Sequence, residues 1–152
     1  MPKFNFQYCQ KIVVFSKDRQ SVLLCKRNGE EELNGIFTFI GGKMEITDSS
    51  IVEGVKREKD EEVGEDCQIK LYSNFTFNVL YKKDNGRSMI LPHYFAVFES
   101  GEIKLNEEYS EYKWVLLSEL DDFEPKMENI EGMIKELLKL VPVIDESDYT
   151  VI

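Results

Sequence analysis

Long apolar runs are absent from this chain of 152 residues, in which runs such as 12–15 and 22–25 are four residues long. A membrane-spanning helix needs about 20 consecutive apolar residues, so the sequence predicts no span. Residues 1–7 also lack the apolar stretch and small-residue cleavage site of an export signal. We therefore expect no membrane partner and a cytoplasmic location.

Paired cysteines are absent as well. Cys9, Cys25 and Cys67 lie far apart, contain no C-x-x-C pair and, being odd in number, cannot close into a complete set of disulfides. A reducing compartment is therefore the simpler setting, and we expect small, buried, apolar thiols.

Basic residues are scarce, with 19 Lys and Arg against 29 Asp and Glu and a net charge of −10. This charge repels nucleic-acid backbones and anionic membranes, so a nucleic-acid polymer is not an expected partner. Repeats and Pro/Gly/Ser-rich linkers are missing too, which predicts a single domain over residues 1–152. The scaling of surface with mass lets such a domain bury about 69% of its unfolded surface.

Two kinds of apolar spacing alternate along the chain. Segments rich in β-branched and aromatic residues predict strands, and they are 12–15, 22–26, 37–40, 69–81, 89–98 and 112–117. The first two strands suit a hairpin, and Gly41-Gly42 is expected to end the third. Helical spacing predicts helices over 49–63, with Asp48 or Ser49 as N-cap and Gly64 at the end, and over 127–141. The mixture predicts an α+β layered domain.

The first predicted helix carries an acidic cluster. At 100° per residue, Glu58, Glu61 and Glu62 fall on one arc, where like charges cost a few tenths of a kcal/mol per pair. An ordinary solvated face is the simpler interpretation. However, Val55 and Val63 flank Glu62, and a carboxylate at the edge of a buried face is costly unless it is paired or bound to metal. Mg²⁺ takes oxygen ligands and commonly bridges carboxylates to substrate phosphates.

Residues 42–65 resemble the Nudix box, G-x5-E-x7-R-E-U-x-E-E-x-G-U, where U is aliphatic. Gly42, Arg57-Glu58, Glu61-Glu62 and Gly64 match it. The interval from Gly42 to Arg57 is one residue longer than the pattern, Asp48 is nearest to the expected first glutamate, and Lys59 and Glu65 occupy aliphatic positions. We expect loop 46–49 to absorb the extra residue. We also expect the stem of Lys59 to cover apolar surface while its ammonium group reaches water.

The resemblance extends over about residues 8–140 and implies an α/β/α sandwich around a mixed central sheet. It also implies Mg²⁺- or Mn²⁺-dependent hydrolysis of a pyrophosphate bond in a nucleoside diphosphate derivative. By analogy the metal site comprises Gly42, Glu58, Glu61 and Glu62, and the catalytic set comprises Arg57, Glu58, Glu61 and Glu111. Arg57 would orient a glutamate. Glu61 would be the general base, with Glu111, on a loop near Trp114, as the alternative.

The expected substrate is a small-molecule nucleotide. The short chain favours the MutT-like nucleoside triphosphate group, while diadenosine polyphosphates, ADP-ribose and a catalytically silent nucleotide sensor stay open. We predict substrate binding by Phe39, Gly41, Gly42 and Tyr81. Glycines permit close approach to phosphate, aromatic faces stack on bases, and some diadenosine polyphosphate hydrolases of the family carry a tyrosine near the position of Tyr81. A homodimer stays open.

Overall fold

The computed structural model describes residues 2–29 and 32–152. Its eight strands form one mixed sheet, and they are β1 (Gln7–Phe15), β2 (Ser21–Arg27), β3 (Phe37–Thr38), β4 (Ile40–Lys43), β5 (Gln68–Lys82), β6 (Ser88–Ser100), β7 (Tyr109–Leu116) and β8 (Tyr149–Val151). The strand order is β3-β2-β1-β6-β5-β8, with β4 paired to β1 and β7 paired to β2. Strands β1 and β6 run parallel.

Two α-helices, α1 (Ile51–Val63) and α2 (Ile130–Leu138), cover opposite faces of this sheet. Alternate side chains of a strand point to opposite faces. On β1, Val13 and Phe15 therefore pack in the core that contains α2, while Ile12 and Val14 pack in the core that contains α1. The predicted α+β sandwich is confirmed. Within the described residues, neither helix is long and apolar enough to cross a membrane.

The segment 37–43 differs from its prediction. It divides into β3, which pairs with β2, and β4, which pairs with β1, so it crosses between the two strands. The predicted hairpin of β1 and β2 is accordingly reduced to the pair Phe15 and Val22. Gly41 and Gly42 lie inside β4 rather than at a strand end. Gly41 has φ +134°, and a Cβ there would lie 2.0 Å from the carbonyl oxygen of Gln10, so this close approach requires glycine.

Both helices begin later than predicted. The N-cap of α1 is Ser50, whose hydroxyl accepts a hydrogen bond from the Glu53 N–H at 3.1 Å, while Gly64 ends the helix as predicted. Asn129, with φ 64°, precedes α2. Met127 lies before the helix, where its N–H donates to the carbonyl of Phe37. Strand β8, which pairs with β5, was not predicted.

Lys59 contradicts the expectation that its ammonium group reaches water. The side chain is 1% exposed, and Nζ donates to the Cys67 carbonyl at 2.7 Å. The same ammonium pairs with Asp60, which also pairs with the half-exposed Lys56 one turn earlier. Lys59 therefore ties the C-terminal turn of α1 to the chain that enters β5.

We expect Lys59→Ala to lower the free energy of unfolding by about 2–4 kcal/mol, because it leaves a cavity and an unpaired buried carbonyl. The matched variant Lys56→Ala removes an exposed partner of the same Asp60 and should cost at most ~0.5 kcal/mol. Urea unfolding of both variants measures the difference. Equal losses would contradict a structural role for the buried ammonium.

His93 is fully buried on β6. Its Nδ1 lies 2.9 Å from the Leu91 carbonyl and 3.1 Å from the Phe77 carbonyl, so the proton belongs on Nδ1. Nε2 is buried without a partner among the described residues. Burial lowers the pKa of His93 from 6.5 to about 4, which keeps the imidazole neutral in the folded protein.

The unfolded chain therefore binds more protons than the folded chain between pH 6.5 and about 4, so stability falls as the pH falls through this window. We expect His93 to account for a loss of about 3 kcal/mol. His93→Asn keeps a donor near the Nδ1 position and should remove this contribution. The measurement is the free energy of unfolding of the parent and of His93→Asn between pH 6.5 and about 4. Equal pH dependence of the two proteins would contradict the prediction.

Candidate active site

Arg57 is the centre of a polar network at the N-terminal half of α1. Its Nε donates to Asp48 Oδ1 at 2.8 Å and its Nη2 to Asp48 Oδ2 at 3.0 Å, a bidentate pair. Nη2 also donates to the Lys43 carbonyl at 3.0 Å. On its other side Nη1 donates to Glu58 Oε1 at 2.9 Å. The guanidinium therefore joins α1 both to the preceding loop and to the end of β4.

Asp48 fills the role of an anchor for Arg57. Its hydrogen bonds with Arg57 lower the pKa of Asp48 to about 2, so the carboxylate stays ionised. The loop that carries it turns tightly, because the Asp48 N–H donates to the Glu45 carbonyl at 3.0 Å and the Glu45 N–H donates to Asp48 Oδ2 at 2.8 Å. Ile46 is fully exposed at this turn. The prediction that loop 46–49 absorbs the extra residue stays a prediction.

The Glu58 carboxylate lies directly over Gly42. A Cβ at Gly42 would lie 2.2 Å from Glu58 Oε2, so glycine leaves the room that this carboxylate occupies. Glu58 is buried in large part, at 8% exposure. Burial raises the pKa of Glu58 against the lowering effect of Arg57, and the charges of Glu61 and Glu108 raise it further. Negative charge here is therefore only partly balanced by the protein.

Glu62 is the most buried carboxylate of the cluster, at 1% exposure. Its oxygens accept hydrogen bonds from the Gly41 N–H at 2.8 Å and from the Tyr109 hydroxyl at 2.9 and 3.0 Å. Burial raises the pKa of Glu62 to about 8, against the opposing effects of Gly41, Lys11 and Tyr109. Glu62 thus fastens α1 to β4 and β7. Its assignment as a metal ligand stays a prediction.

Glu61 lies one turn after Arg57 and is half exposed, with 52% of its side chain accessible. Arg57 Nη1 reaches its two oxygens at 3.3 and 3.4 Å, which are long contacts. The Glu61 carboxylate therefore keeps lone pairs that face solvent and can bind a cation or accept a proton.

The donor set fits a hard divalent cation. Glu61 and Glu108 bring further negative charge close to Glu58, and oxygen donors of this kind suit Mg²⁺ or Mn²⁺. Glu58 and Glu61 could hold the ion, with Arg57 fixing their orientation. Across residues 2–29 and 32–152, however, no three acidic, His or Cys side chains form a ready-made ligand set. Glutamate side chains would therefore move when a cation binds.

The other predicted site residues lie elsewhere. Glu111 is in β7 rather than on a loop, opposite Lys26, and accepts from its Nζ at 3.4 Å. Phe39 is fully buried in the core on the α2 face, in edge contact with His93. Tyr81 is 43% exposed near the β5–β6 turn, opposite Met89. Their functional roles stay predictions.

Neither Glu108 nor Tyr109 is among the site residues predicted from the sequence. Glu108 contributes to the raised pKa of both Glu58 and Glu62, and Tyr109 is a hydrogen-bond donor to Glu62. Both precede or begin β7, far from α1 in sequence. An acidic pair directly before a strand is the only signal that could have indicated them, and it is shared with ordinary polar loops.

The family model described as NUDIX domain matches residues 7–137. The chain belongs to the Nudix family. It is a Nudix hydrolase. Arg57, Glu58 and Glu61 all lie within the matched region. No sequence among the curated proteins matches it.

Solved structures share the Nudix fold. The MutT protein from Methanosarcina mazei Go1 is 20% identical, with a TM-score of 0.71 over 91% of this chain and 97% of that one. An Ap4A hydrolase binary complex from C. elegans is 14% identical, with a TM-score of 0.70 over 91% and 99%. The Nudix domain of Shewanella oneidensis NrtR with ADP ribose is 19% identical, with a TM-score of 0.66 over 90% of each chain.

We expect Gly42→Ala to lower the hydrolysis rate about 10²-fold, because the new methyl group displaces the Glu58 carboxylate from its position. The control is Gly132→Ala, since a Cβ at Gly132 in α2 meets nothing within 4 Å. Steady-state rates on a nucleotide that the parent protein hydrolyses measure the effect, and circular dichroism checks the fold. An unchanged rate for Gly42→Ala would show that the position of Glu58 does not matter.

Proposed function

We propose that this Nudix hydrolase cleaves a nucleoside triphosphate with water into a nucleoside monophosphate and pyrophosphate, and that it requires Mg²⁺ or Mn²⁺. The observation that carries the proposal is the Arg57 guanidinium, which contacts Glu58 at 2.9 Å and Glu61 at 3.3 Å beside Gly42. The Arg57 guanidinium orients both carboxylates. Its single positive charge does not balance their two negative charges.

Electrostatics supports the metal requirement. A triphosphate that approaches Glu58 and Glu61 brings further negative charge to a chain whose net charge is −10. A divalent cation supplies the charge that lets phosphate oxygens and carboxylates lie together. Arg57 cannot do this alone, because Asp48 already holds two of its donors.

Glu61 is the proposed general base. It is exposed enough to meet water, and its contacts with Arg57 are long. Glu58 is held more tightly at 2.9 Å and suits a ligand whose position is fixed. Glu108 is a second candidate base because its charge acts on Glu58, whereas Glu111 is paired with Lys26.

Lys26 and Lys113 on the α2 face could attract the phosphates of the nucleotide. Lys26 Nζ lies 5.9 Å and Lys113 Nζ lies 5.6 Å from the centre of the Phe37 ring. Phe37 in turn makes an edge contact with Phe123 at 5.0 Å. The Phe37 ring is 2% exposed and offers no face for a base, so only the two ammonium groups are available to an anionic ligand here.

The name MutT, given to several proteins of similar fold, supports a triphosphate substrate. An Ap4A hydrolase has the same fold, and the exposed Tyr81 keeps a diadenosine polyphosphate as the second candidate. We also propose a cytoplasmic location, which the three free, buried thiols support because a reducing compartment preserves them.

Glu61→Gln should lower turnover at least ~10²-fold while the fold is retained, because the amide can neither accept the proton of water nor bind a metal as a carboxylate does. Products are measured from a panel of nucleoside triphosphates, a diadenosine tetraphosphate and ADP-ribose, with Mg²⁺ or with EDTA. We expect monophosphate and pyrophosphate, and no turnover in EDTA.

Glu53→Gln is the matched control, since Glu53 is an exposed glutamate in the first turn of the same helix. It should keep the parent rate. Equal rates for Glu61→Gln and Glu53→Gln would remove Glu61 from the mechanism. Turnover that persists in EDTA would refute the metal requirement, and release of two mononucleotides from the tetraphosphate alone would identify the second candidate substrate.

A further inference from the structure

The outer edge of β5 is open over residues 75–82. Strand β8 pairs with β5 only at Lys70, Leu71 and Tyr72, and no other strand of the described residues covers the remainder. On its inner side the same segment pairs with β6 down to Lys82 opposite Ser88. The open edge is therefore a regular strand with unpaired backbone groups on one side.

Strand β5 has a bulge over residues 73–75, where its register with β6 shifts, but the edge beyond the bulge has little protection against pairing. Natural edge strands carry charges, prolines or bulges that prevent association. Residues 75–81 here read Phe-Thr-Phe-Asn-Val-Leu-Tyr, without charge or proline, although 32% of the whole chain is charged. Three large side chains on it are exposed, namely Phe75 at 46%, Leu80 at 53% and Tyr81 at 43%.

The backbone groups that face outward can be identified. The Lys83 N–H donates to the Arg87 carbonyl at the β5–β6 turn. Alternate residues of an antiparallel strand form backbone hydrogen bonds with the same neighbouring strand. The N–H and C=O groups of the odd-numbered residues from Lys83 back to Phe77 therefore point to β6, and those of the even-numbered residues point outward. Pro92, which has no N–H, lies opposite Asn78 and agrees with this assignment. The outward residues are Thr76, Asn78, Leu80 and Lys82.

We propose that this open edge pairs antiparallel with the same edge of a second copy of the chain, about a twofold axis at Val79. In that register Thr76 pairs with Lys82 of the second copy and Asn78 pairs with Leu80. All four outward residues of each strand are then satisfied. The two sheets become one continuous sheet, which is a closed, isologous interface.

Charge complementarity favours a second copy over a foreign strand. One end of the edge is the β5–β6 turn, with Lys82, Lys83 and Arg87 against a single Asp84. The other end is next to the exposed segment 145–148, which carries Asp145, Glu146 and Asp148 before β8. Of these three, Glu146 pairs with Lys70 at 3.0 Å and with Arg19 at 3.7 Å. Antiparallel pairing places each basic turn beside the acidic segment of the other copy, twice per dimer.

Sedimentation equilibrium of the full chain tests the proposal, with the expectation of a monomer–dimer equilibrium. Asn78→Pro removes one outward N–H and leaves the β5–β6 hydrogen bonds intact, so it should raise the dimer Kd at least about tenfold. Asn78→Ala keeps the N–H and should stay near the parent value. Lys82→Glu with Lys83→Glu, at the end of β5 and the start of the β5–β6 turn, should also weaken the dimer, and circular dichroism checks that the double variant is folded.

A disulfide test reads the register directly. In the proposed register Val79 lies opposite Val79 of the second copy as a non-hydrogen-bonded pair. The Cα atoms of such a pair are about 4.5 Å apart, which is within the range for a disulfide. Val79→Cys should therefore form a covalent dimer under mild oxidation. In Tyr81→Cys the two sulfurs would be about four residues, or ~13 Å, apart along the strands and should not join. The native thiols are buried and provide a low background.

Three results would overturn the proposal. The first is a parent protein that stays monomeric at the highest soluble concentration. The second is a dimer whose Kd is unaffected by both Asn78→Pro and the double charge reversal. The third is cross-linking of Tyr81→Cys as readily as Val79→Cys. Hydrolysis by the parent protein does not enter these measurements, so the outcome is independent of the proposed function.

Discussion

The buried carboxylate of Glu62 is the interaction on which the site depends. It takes hydrogen bonds from the backbone of Gly41 in β4 and from the hydroxyl of Tyr109 in β7. A carboxylate this deep is costly to bury without partners, and its partners come from strands that are distant in sequence. The hydrogen bonds of Glu62 to Gly41 and Tyr109 fix the position of α1 relative to the sheet. The remaining glutamates of the helix are then presented at the edge of β4.

Arg57 uses this fixed helix to orient groups on two sides. Its bidentate contact with Asp48 holds the loop before α1, and its contact with Glu58 holds a carboxylate over Gly42. The planar guanidinium suits this task because its donors are fixed in direction, which an ammonium group cannot reproduce. The buried contacts of Glu62 thus fix the helix, and the contacts of Arg57 then fix the carboxylates nearer to solvent.

The sequence predicted the parts of the fold that depend on local spacing. The 3.6-residue period gave α1, and the family pattern indicated which of its glutamates lie together. The period cannot show how strands associate, so the crossing of segment 37–43 from β2 to β1 and the edge strand β8 were not foreseen. Lys59 was misjudged because its buried ammonium is satisfied by the carbonyl of Cys67, which only the tertiary fold brings near. The effect of Glu108 on Glu58 likewise depends on an approach that only the tertiary fold produces.

Two departures from the family pattern meet at Asp48. An aspartate is one methylene shorter than the glutamate of the family pattern, and the loop before Arg57 is one residue longer. Together they still deliver both oxygens to the guanidinium at 2.8 and 3.0 Å. A short acidic side chain on a loop of this length is therefore sufficient for a bidentate contact with Arg57, so the contact does not require the exact spacing of the family pattern.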